Sequence, residues 1–309
     1  MNLKGALALL KSSGADFIED DCPTQAAALS YYTIFALPPL LMVLLLILGT
    51  FVDPQDIKGQ LEVQMGSLMG PTATEQIRSI LAQLHQPGSG NALATVLSIG
   101  GLVLGATGAF GQLQAALNRA WEVTPDPKQG GLKGFVIKRL FSFGMILSVA
   151  FLLLVSLILS AALSAFGGAL GNMLPEGVST TLLQIVNLII SFVVITALFA
   201  AIFKVLPDAK VGWGDVWVGA AVTALLFVVG KFLIGFYLGR SNPGQAFGAA
   251  GSLAVLFVWV YYSSMILLFG AEFTQALVER NGGSIAPERG AVRVVEQTQH
   301  VRDGRAVPA

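Results

Sequence analysis

Residues 26–52 read Ala26-Ala27-Ala28-Leu29-Ser30-Tyr31-Tyr32-Thr33-Ile34-Phe35-Ala36-Leu37-Pro38-Pro39-Leu40-Leu41-Met42-Val43-Leu44-Leu45-Leu46-Ile47-Leu48-Gly49-Thr50-Phe51-Val52, without one charged side chain. As a helix rising about 1.5 Å per residue this stretch reaches about 40 Å, longer than the roughly 30 Å hydrocarbon layer of a bilayer. The same signature recurs outward along the chain, at 92–113, 141–165, 181–206, 215–238 and 248–271. Only Lys204 and Lys231 interrupt these later runs, which end at helix breakers or charge such as Pro207 and Glu272. The expectation is an all-α polytopic membrane protein with six transmembrane helices and both termini cytoplasmic.

Composition supports a lipid-solvated chain. Of 309 residues, 54% are hydrophobic and 12% charged, and that charged share is about half that of an ordinary soluble domain. The 18 basic and 18 acidic residues cancel, leaving no electrostatic excess to attract nucleic acid. A single cysteine, Cys22, and two separated histidines, His85 and His300, support neither a disulfide framework nor a zinc site. No glycine loop of the ATP-binding type is present, so no cofactor is expected.

Orientation follows from the basic residues, which are retained on the cytoplasmic side of a membrane. Lys4 and Lys11 precede the first span; Arg119, Lys128, Lys133, Lys138 and Arg139 follow the second; Lys204 and Lys210 follow the fourth; and Arg280, Arg289, Arg293, Arg302 and Arg305 follow the last. Opposite them stand Lys58, Arg78 and Arg240, with Lys231 inside the fifth span.

Three units follow. Residues 1–25 form a cytoplasmic interfacial segment, with Leu3, Leu7 and Leu10 at helical spacing. Residues 26–276 form the transmembrane domain, including an external helical loop over 53–91. There Thr72 and Glu75 have capping-box spacing ahead of an Ile77, Ile80, Leu81 and Leu84 stripe. Residues 277–309, rich in Gly, Arg and Gln, read as a disordered cytoplasmic tail.

Small residues and buried polar groups mark candidate contacts and a candidate pathway. Gly101, Gly105 and Ala109 form a ladder at every fourth position, and Gly248 opens a second small-residue patch. Such ladders serve packing within one chain or a homodimer equally well. Polar groups at membrane depth require partners or water. Lys231, Gln184 and Asn187 are expected at similar depth in the outer half. They either line a cavity for an anionic group, or Lys231 snorkels to the outer headgroups. Toward the cytoplasm gather Tyr31, Tyr32 and Thr33, then Gln112, Gln114 and Asn118, and finally Glu272. Asp215 and Glu272 are candidates for proton coupling. Pro38 and Pro39 remove two backbone donors and are expected to break or bend the first span.

Ala26-Ala27-Ala28-Leu29-Ser30-Tyr31-Tyr32-Thr33 with Pro38-Pro39, Asn118-Arg119-Ala120-Trp121, Leu206-Pro207 with Trp213, and Gly248-Ala249-Ala250-Gly251-Ser252-Leu253 through Trp259-Val260-Tyr261-Tyr262 to Gly270-Ala271-Glu272-Phe273 are similar, in order and spacing, to the YihY/BrkB family. The resemblance runs from about Asp16 to Ala276. It implies a multi-pass protein of the bacterial inner membrane with a suspected transport role. Members have also carried a ribonuclease label, which these residues do not support, because the carboxylates and histidines are dispersed along the chain. The expected function is therefore a transporter or flippase-like protein for a polar or amphipathic solute or lipid. The alternatives are a non-transporting membrane scaffold and, behind it, a membrane-associated ribonuclease or hydrolase. The expected partners are the lipid bilayer and an unidentified solute or lipid, with no nucleic acid.

Overall fold

The computed structural model describes residues 3–48, 108–126, 178–241, 251–294, 300–302 and 305–307, with the isolated positions 59 and 78. Its helices are α1 (Leu3–Glu19), α2 (Cys22–Leu48), α3 over residues 108–120, α4 (Val178–Val205), α5 (Trp213–Ser241) and α6 (Gly251–Arg280). Short strands β1 (Val123–Pro125), β2 (Ala209–Lys210), β3 (Ala286–Pro287), β4 (Ala291–Arg293), β5 (His300–Arg302) and β6 (Arg305–Val307) punctuate them.

The expected six-span count is corrected here. Among the described residues three helices, not six, are long and apolar enough to cross a membrane: Leu188–Val205, Trp213–Tyr237 and Leu253–Arg280. They coincide with the fourth, fifth and sixth runs of the sequence, the last extending past Glu272 to Arg280. Residues 92–107 of the second run, all of the third, and the external loop 53–91 with its capping box lie outside the described residues, apart from the two isolated positions. In α2 the described side chains mix apolar residues with Gln25, Ser30, Tyr31, Tyr32 and Thr33. Its buried residues are Cys22, Ala26, Leu29, Ser30, Ile34 and Ala36. The result is a multi-pass helical fold.

Pro38 and Pro39 lie within α2, which is assigned as one helix through to Leu48. The two imino acids withhold donors from the carbonyls one turn earlier, while the ladder on either side carries the helix across.

The bundle is organised on α6, which packs against α1, α2 and α5, while α4 packs on α5. The α5–α6 crossing is set by glycines. A Cβ on Gly219 would fall on Thr274 Oγ1, and one on Gly270 would fall on Thr223 Oγ1. Further along the same pair of helices, Gly230 lies beneath the Tyr262 phenol. Each threonine hydroxyl donates back to its own helix, Thr223 to Gly219 O and Thr274 to Gly270 O, both at 2.7 Å. Both hydroxyls are thus satisfied at a fully buried contact, and the backbones approach closely. Leu188, Ile189 and Val193 on α4, with Leu225, Phe232 and Leu233 on α5, remain exposed. Such surface suits lipid, since a membrane helix is apolar outside as well as inside. Trp213 and Trp217 are exposed at the start of α5, and the Lys204 ammonium lies 5.6 Å from the Trp213 ring centre. An aromatic and basic girdle of this kind suits the headgroup level.

Several helix ends converge on one polar end of the bundle. Trp121, at the end of α3, donates its indole N–H to Ala271 O of α6 at 3.1 Å and meets Phe203 of α4 edge to face. α1 lies along the last turns of α6, with Leu9 against Phe273 and Ala276 and Phe17 against Phe269. Arg280 donates to Gly5 O at 2.7 Å. α1 is thus seated on protein through Leu9, Ser13 and Phe17, while Leu7, Leu10 and Ile18 face outward.

The segment after α6, expected to be an unfolded tail, contains four strands. β4 pairs antiparallel with β1, Val123 opposite Arg293, and β3 pairs antiparallel with β2, Ala209 opposite Pro287. β5 and β6 pair with each other. The turns rest on Gly282 and Gly290 at positive φ, where glycine carries no Cβ penalty. Ile285 is buried in the main core, so a single apolar residue anchors a segment whose composition otherwise reads as disordered.

Candidate functional site

A cleft of about 580 Å³ opens at the polar end of the bundle. α1 and its exit supply Asp16, Glu19 and Asp20; α3 supplies Gln114, Asn118 and Arg119; Glu122 and the β1 residues follow; α6 supplies Gln275 and Glu279. The geometry arises because α1 lies antiparallel to the end of α6 and turns sharply into α2 at Asp21, which holds φ 53°. Glu122 makes the equivalent left-handed turn out of α3 at φ 52°.

Five carboxylates therefore face one another around the cleft, and Arg119 is the guanidinium among them, its Nε 3.7 Å from Asp20 Oδ1. On the rim Arg293 donates through Nη2 to Glu122 Oε2 at 2.8 Å. Burial, then the charges of Glu279, Glu19 and Glu122, raise the Asp16 carboxyl above its ordinary value, because each disfavours another negative charge.

Behind this wall the groups are dry. Glu272 has no exposed surface, and its Oε1 accepts the Cys22 thiol at 3.3 Å. Its Oε2, like Gln275 Oε1, has no hydrogen-bond donor among the described residues. Burial, then the Glu272 charge, push the Cys22 thiol well above its usual range, so it stays protonated.

Beside the cleft, Asn118 is 5% exposed and joined to the α4–α5 loop by two bonds. Its Nδ2 donates to Asp208 Oδ2 at 2.9 Å and its Oδ1 accepts the Asp208 amide at 2.8 Å. Gln114 Nε2 donates to the same carboxylate at 3.2 Å, and the Glu288 amide donates to Asp208 O at 2.9 Å.

Of the residues singled out from sequence, Gln112, Gln114, Asn118 and Glu272 do meet at one end of the bundle. Gln114 and Asn118 line the cleft, while Gln112 turns away and donates to Gln25 Oε1 at 2.7 Å. Tyr31 and Tyr32 stand outside it, half-exposed and edge to face at 5.6 Å, with the Tyr32 ring over Gly108. Asp215 sits in the first turn of α5, where a carboxylate complements the helix dipole. Lys231 is half-buried, its ammonium 5.5 Å from the Phe232 ring centre, and it does not line this cleft. The side chains of Gln184, Asn187 and Pro39 lie outside the described residues, as do Gly101, Gly105 and Gly248; Ala109 is half-buried in α3. Residues not singled out as site candidates are Cys22, Asp16, Glu19, Asp20, Glu122, Asp208, Gln275 and Glu279. The acidic run at Asp16, Glu19 and Asp20 and the Leu206-Pro207-Asp208 turn were visible signals.

The model of the family described as virulence factor BrkB matches residues 14–293. A UPF0761 membrane protein of Psychromonas ingrahamii is 27% identical over 264 residues, covering 84% of each chain. One from Pseudoalteromonas atlantica is 28% identical over 260 residues, covering 84% of this chain and 82% of the relative. One from Alcanivorax borkumensis is 28% identical over 268 residues, covering 85% of this chain and 58% of a longer relative. No solved structure matches the chain.

Proposed function

Because the chain belongs to the BrkB family of multi-pass bacterial inner-membrane proteins, we propose that it moves a polar or amphipathic solute, or a lipid headgroup, across that membrane. The cleft at the polar end of the bundle is the mouth of the pathway, facing the cytoplasm with both chain ends. The orientation rests on Lys204, Lys210, Arg119 and Arg280 clustering at this end.

The observation that carries the reading is a charged cleft backed by polar groups buried inside a membrane bundle. Glu272 and Gln275 lie on a helix apolar enough to cross a bilayer, where unpaired polar oxygens are costly and mark functional positions. We read the chain as non-enzymatic: the Cys22 thiol is buried and protonated, and the Ser30 hydroxyl donates to Ala26 O at 2.9 Å.

The test is purified protein in liposomes, assayed for solute flux and lipid scrambling, with Glu272→Gln alongside. Flux that falls at least about tenfold in the variant supports the reading; tenfold corresponds to about 1.4 kcal/mol. Absence of flux for every solute and lipid tested transfers the function to a scaffold.

A further inference from the structure

We propose that α1 is a lipid-bound helix whose outward face seats in the leaflet at the polar end of the bundle, with Lys4 and Lys11 against the phosphates of anionic phospholipids. The proposal concerns the membrane and not a solute, so it stands or falls independently of the transport reading.

α1 has two faces. Leu9, Ser13 and Phe17 are buried against protein, Leu9 with Phe273 and Ala276 of α6 and Phe17 with Phe269. On the other side Leu7, Leu10 and Ile18 are 63%, 47% and 68% exposed, with Gly14 in the same stripe at helical spacing. A single exposed leucine is ordinary on any surface, but an apolar stripe along a helix calls for a cover.

Depth names the cover. Val222 of α5 packs on the Leu9 cluster and lies about 14 Å past Trp213, where a bilayer-length segment begins. The other partners of Leu9, Phe273 and Ala276, belong to the Leu253–Arg280 segment, which is also long enough to cross. α1 is therefore packed beside membrane spans, inside the level set by Trp213. What meets its outward side at that depth is the same solvent that meets the exposed Trp217 and Val218 of α5, and that solvent is lipid.

Charge names the headgroup. Lys4 and Lys11 are exposed and stand one turn on either side of Leu7, whereas the acidic residues of α1 and its exit, Asp16, Glu19 and Asp20, line the cleft. Arg280, whose guanidinium donates to Gly5 O, adds a third cation at this end. Lysine stems cover apolar surface while their ammonium groups reach out to phosphates. Each such cation near an anionic surface contributes about 1 kcal/mol. An apolar stripe with cations beside it is the pair of signals that holds a helix in the interface.

The experiment places a maleimide fluorophore on the full chain in liposomes, at Leu7→Cys or at Ser12→Cys, the latter exposed on the side away from the stripe. Neither position belongs to the core, and the parent chain treated alike gives the background from Cys22. Brominated lipid should quench the Leu7→Cys probe at least about threefold more than the Ser12→Cys probe, and aqueous acrylamide should do the reverse. At equal mole fraction, brominated phosphatidylglycerol should quench the Leu7→Cys probe at least about twofold more than brominated phosphatidylcholine. Lys4→Gln with Lys11→Gln should abolish that excess, and salt near about 1 M should reduce it. Acrylamide quenching as strong at Leu7→Cys as at Ser12→Cys puts the face in water and overturns the proposal. Protection from both quenchers overturns it in favour of a protein cover, and a disulfide between two Leu7→Cys chains identifies that cover as a second copy. Equal quenching by the two lipids, or an excess that survives the lysine substitutions, overturns the headgroup contact.

Discussion

Asn118 and Asp208 hold each other by two hydrogen bonds that run in opposite senses, side chain to side chain at 2.9 Å and backbone amide to side chain at 2.8 Å. The pair clamps the end of α3 to the loop between α4 and α5, beside the cleft. Asn118→Leu keeps the volume but removes both of its bonds to Asp208, whose carboxylate keeps the Gln114 amide. It should cost about 2–3 kcal/mol, as expected for buried polar groups losing their partners. Thermal unfolding in detergent, followed by tryptophan fluorescence, measures it; a change below about 0.5 kcal/mol would mean water replaces the side chain at no cost.

The reciprocal glycine contacts of α5 and α6 make a selective prediction. Gly270→Ala and Gly219→Ala should each destabilise by about 1–3 kcal/mol, the usual cost of overpacking a tight contact. Thr223→Ala should recover part of the loss in Gly270→Ala and none in Gly219→Ala, because Thr223 faces Gly270 while Thr274 faces Gly219. Equal recovery in both backgrounds would show that the helices shift as a unit.

Asp16 provides a pH signature. Its carboxyl is raised in the fold by burial and by the charges of Glu279, Glu19 and Glu122, so the folded state holds a proton that the unfolded chain releases at the ordinary value near 3.9. Stability from this group is complete below that value and declines as pH rises through the raised one. Asp16→Asn should flatten melting temperature against pH in this acidic window and raise it at pH 7. An unchanged slope would assign the titration to another group.

Cys22 should resist alkylation. It is 2% exposed, and its thiol is held protonated by burial and by Glu272. Maleimide at pH 8 should label folded protein at least about a hundredfold more slowly than protein unfolded in SDS. Comparable rates would show that the α2–α6 junction opens readily. Glu272→Gln removes the neighbouring carboxylate and should speed labelling only slightly, since burial is the larger cause.

α4, α5 and α6 were legible as bilayer-length helices because absence of charge over 20 or so residues is a local signal that needs no knowledge of packing. The polar end was half legible. Asn118 and Glu272 announce themselves as polar residues at span ends, but their partners Asp208 and Cys22 lie 90 and 250 positions away. The cleft was hidden for the same reason, being assembled from α1, α3, β1 and α6. Gly219 and Gly270 were obscured by abundance: with 35 glycines, spacing alone does not separate a helix crossing from chance. The β3 and β4 pairings carry no periodicity, since strands of two and three residues show none, and their partners β1 and β2 lie in distant loops.

β3 and β4 are synthesised after every helix described above, yet they seal two loops made much earlier. Strand edges at Val123–Pro125 and Ala209–Lys210 thus wait unpaired on the nascent chain while the helices are already inserted. A message cut short just after α6 would give a protein that reaches its membrane, passes for complete by size of its hydrophobic part, and has no stitched base beneath its helices.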